Sequence, residues 1–168
     1  KILMNYKEKL HLITTFIFDV DGVLTDGKIF LHPSGEQLRT MNVKDGFAMK
    51  YAINNGYLIS IISAGTNETV KKRLVKLGIN QVFLGSDNKI KKLEKLANDN
   101  NLKKEEILVM GDDILDISIL KNAGISCCPQ DAVQEVKKIC DYVSFKKGGC
   151  GAVREIIEQV MKIQKKWI

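Results

Sequence analysis

Short runs of apolar residues alternate along the chain with segments that have the apolar spacing of a helix. The run from Leu12 to Phe18 is rich in β-branched and aromatic residues and ends in a turn, which predicts a buried strand. Four shorter runs predict further strands over Leu58 to Ile62, Gln81 to Leu84, Ile107 to Met110 and Ile125 to Cys128. Helical spacing is seen between them at Val70, Leu74 and Leu77, at Ile90, Leu93, Leu96 and Ala97, and at Ile114, Ile117 and Leu120. The alternation predicts an α/β fold built on a doubly wound parallel sheet.

One segment interrupts this alternation directly after the first strand. Residues 28–31 and 36–41 flank the turn sequence His32-Pro33-Ser34-Gly35, which predicts an inserted β-hairpin. The exposed edges of such a hairpin need a partner or a cover. At the other end of the chain, the glycine-rich stretch 148–151 precedes an amphipathic helix predicted over residues 152–168.

The length and the charge of the chain limit the classes of protein to which it can belong. A chain of 168 residues with 45% hydrophobic content suits one domain, which we expect over 1–168, with a core at about 12–147 and the tail and last helix at 148–168. The net charge of +6 comes largely from lysines between residues 71 and 104. Because most of them fall on the solvent faces of two predicted helices, we expect no nucleic-acid partner.

The sequence also indicates a compartment. None of the four cysteines forms a C-x-x-C pair, which favours reduced thiols. The first ten residues are too polar for a signal peptide, and no apolar run approaches the roughly 20 residues that span a bilayer. We therefore expect a cytoplasmic protein with no membrane partner.

Polar side chains follow four of the predicted strands. They are Asp19 and Asp21 after the first strand, Ser63 after the second, Lys89 shortly after the third, and Asp112 with Asp113 after the fourth. Parallel strands bring these positions to one edge of the sheet, where doubly wound folds bind ligands. Converging carboxylates repel one another unless a divalent cation bridges them, and an all-oxygen ligand set favours Mg²⁺.

Such a set suits phosphoryl transfer. One carboxylate can attack a phosphorus atom, while a second carboxylate two residues further on acts as general acid and then as base, as the Asp-x-Asp spacing of Asp19 and Asp21 allows. Taken singly, these aspartates could be turn formers, and Asp112 or Asp113 could be helix caps. Their occurrence together at successive strand ends favours a site, with Asp116 supporting it from a helix face.

The residues resemble a known family at several points. The segment from Phe18 to Gly27, Ile62-Ser63, Lys89, and Gly111-Asp112-Asp113 with Asp116 are similar to the four motifs of the haloacid dehalogenase superfamily phosphatases. The hairpin ending in Gly35-Glu36, the stretch 43–46, Gly85 with Asn88-Lys89, and residues 148–155 resemble the capless sugar-acid phosphatases in that superfamily. These act on 3-deoxy-D-manno-octulosonate (KDO) 8-phosphate or on nine-carbon, sialic-acid-like 9-phosphates.

The resemblance implies a role for each residue. Asp19 is the expected nucleophile and forms an aspartyl phosphate. Asp21 is the expected acid and base and gives its backbone carbonyl to Mg²⁺, whose site Asp19 and Asp112 complete, with Asp113 close behind. Ser63 and Lys89 are expected to hold the phosphate. The resemblance further implies a homotetramer, in which hairpins pair between subunits and a neighbour's glycine-rich tail closes the site.

Two positions depart from the family pattern. After the second-motif hydroxyl the family usually has glycine followed by a charged residue, whereas this chain has Ala64-Gly65. The KDO 8-phosphate enzymes carry arginine between the glycines of the tail, where this chain has Cys150. Both positions point to substrate recognition. A sugar acid would then need another cation, for which Arg73, Arg39 and Arg154 are the candidates.

Spacing also bears on how the site is closed. Only about 36 residues separate Gly27 from Ser63, and about 26 separate Ser63 from Lys89, so neither insertion point of the superfamily has room for a cap domain.

The sequence leaves two other hypotheses about function open. One is a receiver-like phosphoacceptor without catalytic activity, although its acceptor aspartate would follow the third strand. The other is a regulatory domain linked to sugar-nucleotide biosynthesis.

Overall fold

The computed structural model describes residues 5–168 and contains two β-sheets. The main sheet has six strands, all parallel, in the order β5-β4-β1-β6-β7-β8. Its strands are β1 (Thr15–Phe18), β4 (Leu58–Ile62), β5 (Gln81–Phe83), β6 (Ile107–Met110), β7 (Ile125–Cys128) and β8 (Tyr142–Val143). The second sheet is the antiparallel hairpin of β2 (Phe30–Leu31) and β3 (Gln37–Leu38).

Helices cover both faces of the main sheet. They are α1 (Tyr6–Lys9), α2 (Val43–Asn54), α3 (Glu68–Lys76), α4 (Lys89–Asp99), α5 (Ile117–Lys121), α6 (Gln134–Lys137) and α7 (Ala152–Ile163). Alternate residues of a strand point to opposite faces of the sheet: Phe16 and Phe18 pack with α2, α3 and α7, whereas Ile17 packs with α4, α5 and α6. The doubly wound parallel sheet predicted from the sequence is therefore confirmed.

The register of the sheet brings the strand ends together. Phe18, the last residue of β1, lies beside Ile61 of β4 and Met110 of β6. The chain runs from β1 outward to β4 and β5, then returns to the other side of β1 with β6. This reversal of strand order creates a crevice at the carboxyl ends of β1 and β6, the usual ligand site of such sheets.

Four elements, α1, α2, α6 and β8, lie outside the predicted set, and the boundaries of several predicted elements differ. Helix α2 buries Asp45, Gly46, two alanines and a single large apolar residue, Met49, so its inner face lacks the apolar periodicity that reveals a helix. The edge strand β8 spans only two residues, too few for a pattern. The first strand begins at Thr15 rather than near residue 12, because residues 10–12 form a 3₁₀ turn.

The hairpin and the last helix are shorter than predicted. Each hairpin strand has two residues, since it pairs only with the other. Helix α7 stops at Ile163 rather than 168, and Lys165 adopts a left-handed backbone conformation at φ 56°. Between Gly27 and Ser63 the described chain forms only the hairpin, α2 and β4, so no cap domain is inserted there.

The helices and the cysteines of residues 5–168 can be compared with the predicted absence of a membrane span and the predicted reduced thiols. The helices formed by residues 5–168 are all too short or too polar to cross a membrane. Residues 1–4, part of the polar N-terminal stretch, lie outside the described range. All four cysteines are free thiols.

The glycine-rich tail packs directly on the loop that follows β1. The backbone amide of Gly149 donates to the carbonyl of Val23 at 2.9 Å, and the amide of Gly148 donates to Asp131 Oδ1 at 2.9 Å. A Cβ atom on Gly148 would lie 1.9 Å from the carbonyl oxygen of Gly22. Since that neighbour is backbone, only glycine fits there without displacing the loop.

We predict that Gly148→Ala lowers the free energy of unfolding by about 1–3 kcal/mol, the usual cost of overpacking. Urea denaturation measures the change. Lys147→Ala, at an exposed neighbouring position, serves as the control and is expected to stay within about 0.5 kcal/mol of the parent chain. Equal stability of the two variants would contradict the close packing of the tail.

Candidate active site

Asp19 lies at the carboxyl end of β1, where its backbone amide donates to the carbonyl of Met110 at 3.2 Å. This hydrogen bond continues the β1–β6 ladder by one step and places the residue at the crevice. Asp19 is buried, and burial together with the charge of Asp116 raises its pKa above the usual carboxyl range. The sheet therefore holds a desolvated carboxylate at its switch point, the crevice where the order of the strands reverses.

Lys89 is the buried cation of the site. It is the first residue of α4, which begins there because the Asn88 side chain accepts a hydrogen bond from the amide of Lys91. Lys89 Nζ lies 2.6 Å from Asp116 Oδ1 and 3.1 Å from Asp19 Oδ2. Burial lowers the pKa of Lys89, but the two carboxylates more than offset this, and the pKa is raised.

Asp116 organises the turn after β6. Its Oδ2 accepts hydrogen bonds from the backbone amides of Asp112 at 2.9 Å and Asp113 at 3.3 Å. A Cβ atom on Gly111 would lie 2.4 Å from Asp116 Cβ, so this turn depends on glycine. Asp113 itself is exposed and caps the following 3₁₀ turn through the amide of Ile114. Both oxygens of Asp116 are thus occupied by protein donors.

Three carboxylates meet in the crevice. Oxygens of Asp19, Asp112 and Asp116 lie within 4.8 Å of one another. Burial, followed by repulsion from Asp116 and Asp19, raises the pKa of Asp112 to about 8. Asp19 Oδ1 and Asp112 Oδ1 are buried and have no hydrogen-bond partner. Two buried, unpartnered carboxylate oxygens in a cluster that offers only oxygen ligands fit a hard divalent cation.

Asp21 and Ser63 line the mouth of the crevice. Asp21 pairs with Arg39, whose Nε and Nη2 donate to Oδ1 at 2.6 Å and to Oδ2 at 3.0 Å. Ser63 is buried just beyond β4, and its Oγ accepts from the amide of Gly65 at 3.3 Å. A Cβ on Gly65 would lie 3.4 Å from Asp21 Oδ2 and 3.7 Å from Ser63 Oγ. These residues enclose one small cavity with Arg39.

The candidates for substrate recognition lie in different cavities. Arg73 lines a cavity of about 300 Å³ that adjoins the crevice and shares Arg39 and Asn67 with it. Cys150 is exposed and lines a separate groove along α7. Arg154 lies in that groove as well, with its guanidinium 5.6 Å from the ring centroid of Phe47 and bound to Glu158.

The structure thus brings most of the predicted site residues to one edge. The crevice and its rim are lined by Asp19, Asp21, Ser63, Lys89, Asp112, Asp113 and Asp116. Gly65 and Arg73 lie next to the crevice, whereas Cys150 and Arg154 lie apart from it within the single chain. The pairing of Arg39 with Asp21 was not foreseen from the sequence, which offered Arg39 only as a cation for a sugar acid. Hairpin residues lack a periodicity that would show which strand end they approach.

A parallel sheet with clustered aspartates and a buried lysine at the carboxyl ends of its strands is the arrangement expected of a haloacid dehalogenase-like hydrolase. The sequence profile of the family described as haloacid dehalogenase-like hydrolase matches residues 78–157. The 3-deoxy-D-manno-octulosonate 8-phosphate phosphatase of Escherichia coli K12 is 33% identical over 158 residues, which cover 94% of this chain and 84% of the relative.

Solved structures agree with this assignment. The KDO 8-phosphate phosphatase of Moraxella catarrhalis, in complex with magnesium, phosphate and KDO, has a TM-score of 0.92 at 30% identity, covering 95% of this chain and 91% of that one. The cobalt-bound form of the Haemophilus influenzae enzyme has a TM-score of 0.90 at 32% identity, covering 94% and 92%. The chain belongs to the KDO 8-phosphate phosphatase family of haloacid dehalogenase-like hydrolases. It is therefore a phosphoric monoester hydrolase rather than a receiver-like phosphoacceptor.

We predict that Mg²⁺ stabilises the protein, and more at about pH 8.5 than at about pH 5.5. Because the pKa of Asp112 is raised, its protonated side chain stabilises the folded protein when no metal is bound. This stabilisation is complete below the usual carboxyl pKa and is lost as pH rises toward about 8. A cation favours the ionised form, so its effect grows with pH. At a Mg²⁺ concentration about 100 times Kd, the melting temperature should rise by about 5–10 °C at the higher pH.

Thermal melting with and without Mg²⁺ measures this shift. Asp112→Asn should abolish it, whereas Asp99→Asn, at an exposed carboxylate on α4, should leave it intact. A shift that is equal at both pH values, or that survives in Asp112→Asn, would place the cation elsewhere.

Proposed function

We propose that this chain hydrolyses a phosphomonoester of a small 2-keto-3-deoxy sugar acid, of the KDO 8-phosphate or nine-carbon 9-phosphate type, through an aspartyl phosphate. The observation that carries the proposal is the position of Asp19. Its carboxylate stands at the switch point with Lys89 Nζ at 3.1 Å and with Asp112 beside it. A desolvated carboxylate next to a fixed cation is suited to approach an anionic phosphoryl group.

Asp19 acts as the nucleophile. One of its oxygens forms a bond to phosphorus while the bond from phosphorus to the sugar oxygen breaks, giving an aspartyl phosphate and the sugar alcohol. Asp21 supplies the proton that the departing sugar oxygen takes. It then accepts a proton from water as the water oxygen attacks phosphorus, which releases phosphate and restores Asp19.

The remaining residues hold the phosphate and the charge around it. The ammonium group of Lys89 and the hydroxyl of Ser63 bind phosphoryl oxygens from the protein side. Asp19, Asp112 and the backbone carbonyl of Asp21 would hold Mg²⁺, which when bound neutralises the charge on phosphate and on the carboxylates. Asp116 takes no part in the bond changes: it fixes Lys89 and the amides of Asp112 and Asp113.

The substrate class rests on the relatives and on the cations near the crevice. The Moraxella catarrhalis relative binds KDO, and Arg73 offers a guanidinium in the cavity next to Asp21 and Ser63. An arginine can bind a sugar-acid carboxylate with two parallel hydrogen bonds. With Gly65 and Cys150 in place of charged groups, we expect a substrate preference that differs from that of the relatives.

A homotetramer in the cytoplasm is the assembly that we propose for this activity. The hairpin leaves two large apolar side chains in solvent, with Phe30 66% and Leu31 75% exposed. Pairing of hairpins between subunits would cover both side chains and the open strand edges. Cys150 lies away from the crevice of its own chain, and we propose that it contributes to the crevice of a neighbouring subunit.

We predict that Asp19→Asn lowers the kcat for p-nitrophenyl phosphate by roughly 1,000-fold or more, because the amide cannot attack phosphorus. Steady-state kinetics at saturating Mg²⁺ measure the loss, and circular dichroism checks the fold. Asp99→Asn is the matched control and should keep the parent rate. Substantial activity in Asp19→Asn would assign the nucleophile to another group.

We also predict that KDO 8-phosphate is a poor substrate for the native chain and that Cys150→Arg improves it. A restored bidentate contact to the carboxylate, worth about 1.5–3 kcal/mol, would raise kcat/KM by roughly 10- to 100-fold. Cys150→Ser controls for loss of the thiol. If the native chain already ranks KDO 8-phosphate first in a screen of phosphorylated sugar acids, Cys150 does not mark a change of substrate.

A further inference from the structure

Arg39, at the base of the hairpin, makes the most enclosed cationic contact outside the Lys89 cluster among residues 5–168. Its Nε and Nη2 donate to the two oxygens of Asp21, and its side chain is only 5% exposed. Two parallel hydrogen bonds fix both the position and the plane of a carboxylate. The hydrogen bond to Asp21 raises the pKa of Arg39, so the guanidinium stays charged.

The guanidinium is itself held in place. Arg39 Nη1 donates to the backbone carbonyl of Gln37 at 3.0 Å, and the same carbonyl accepts Asn67 Nδ2 at 2.8 Å. Asn67 is the cap of α3, where its side chain accepts from the amide of Val70 at 3.0 Å. A chain of hydrogen bonds therefore runs from a core helix through the hairpin base to Asp21.

We propose that Arg39 is a positioning residue for Asp21, which it aims at the oxygen of the leaving group and at the attacking water. The inference rests on the proposed role of Asp21 as acid and base. A carboxylate has about four lone-pair directions. Arg39 occupies one lone-pair direction on each oxygen of Asp21, and the other two lone-pair directions remain for proton transfer.

This role differs from binding substrate. If Arg39 served the phosphate, its loss would slow every phosphomonoester to the same degree. If it served the sugar-acid carboxylate, its loss would slow only substrates that carry one. A residue that orients the general acid matters most where the leaving oxygen is most basic, because such an oxygen depends most on receiving a proton.

A series of aryl phosphates separates these roles. Phenyl phosphate and its nitro- and chloro-substituted derivatives share the same aryl framework, carry no carboxylate and differ in the basicity of the leaving oxygen. The kcat/KM of each is measured for the parent chain, Arg39→Gln, Arg39→Lys and Asp21→Asn. Lys28→Gln removes an exposed hairpin charge, 86% exposed and 3.8 Å from Asp26, and is the matched control.

We expect Arg39→Gln to lose about 10-fold more kcat/KM on phenyl phosphate than on p-nitrophenyl phosphate, within the range that general acids contribute. Arg39→Lys should recover part of this difference, since a lysine keeps the charge but not the bidentate geometry. Asp21→Asn should show the same trend more strongly, and Lys28→Gln should match the parent chain.

Other results overturn the proposal. An equal loss across the series assigns Arg39 to phosphate binding, and unchanged aryl phosphate kinetics with a loss only on sugar-acid phosphates assigns it to the substrate carboxylate. If Asp21→Asn steepens the trend and neither Arg39 variant does, the proposed function stands and the positioning role fails. If Asp21→Asn leaves the trend unchanged, the acid role fails and the inference with it. Thermal melting accompanies each variant, and Arg39→Lys decides the matter if Arg39→Gln does not fold.

Discussion

The buried ammonium group of Lys89 is the interaction on which the rest of the site depends. It lies between Asp19 and Asp116, at 3.1 and 2.6 Å, and all three residues are buried. Without this cation, Asp116 would be a desolvated charge with only backbone donors, and such charges cost several kcal/mol. Asp116 in turn holds the amides of the turn after β6. One charge thus stabilises the nucleophile candidate and the loop that carries Asp112.

The sheet could be predicted because its central strands are buried on both faces and appear as short apolar runs separated by amphipathic helices. The aspartates could be predicted for the same reason, since parallel register brings the ends of β1 and β6 together. Helix α2 could not, because Met49 is the one large apolar residue on its buried face, which otherwise consists of Asp45, Gly46 and two alanines. The ion pair of Arg39 with Asp21 depends on the orientation of the hairpin, which no local pattern encodes.

The hairpin joins two different surfaces. Its outer side exposes Phe30 and Leu31, while its base sends Arg39 inward to Asp21. Burial of the outer side in an assembly would restrict the hairpin and, with it, the guanidinium. The hydrogen bond from Asn67 to Gln37 already limits that motion within one chain. Packing at the periphery and geometry in the crevice are therefore mechanically connected through two short strands.

Gly65 gives the crevice a capacity for evolutionary change. Most glycines around the site, such as Gly22, Gly111 and Gly148, have no room for a Cβ atom. At Gly65, a Cβ would meet Asp21 and Ser63 only at ordinary contact distances of 3.4 and 3.7 Å, and the backbone is not in the left-handed region. A mutation to alanine there adds a Cβ atom to the crevice at ordinary contact distances from its three nearest neighbours. After gene duplication, such a position lets selection explore new substrates while the bond-breaking residues stay unchanged.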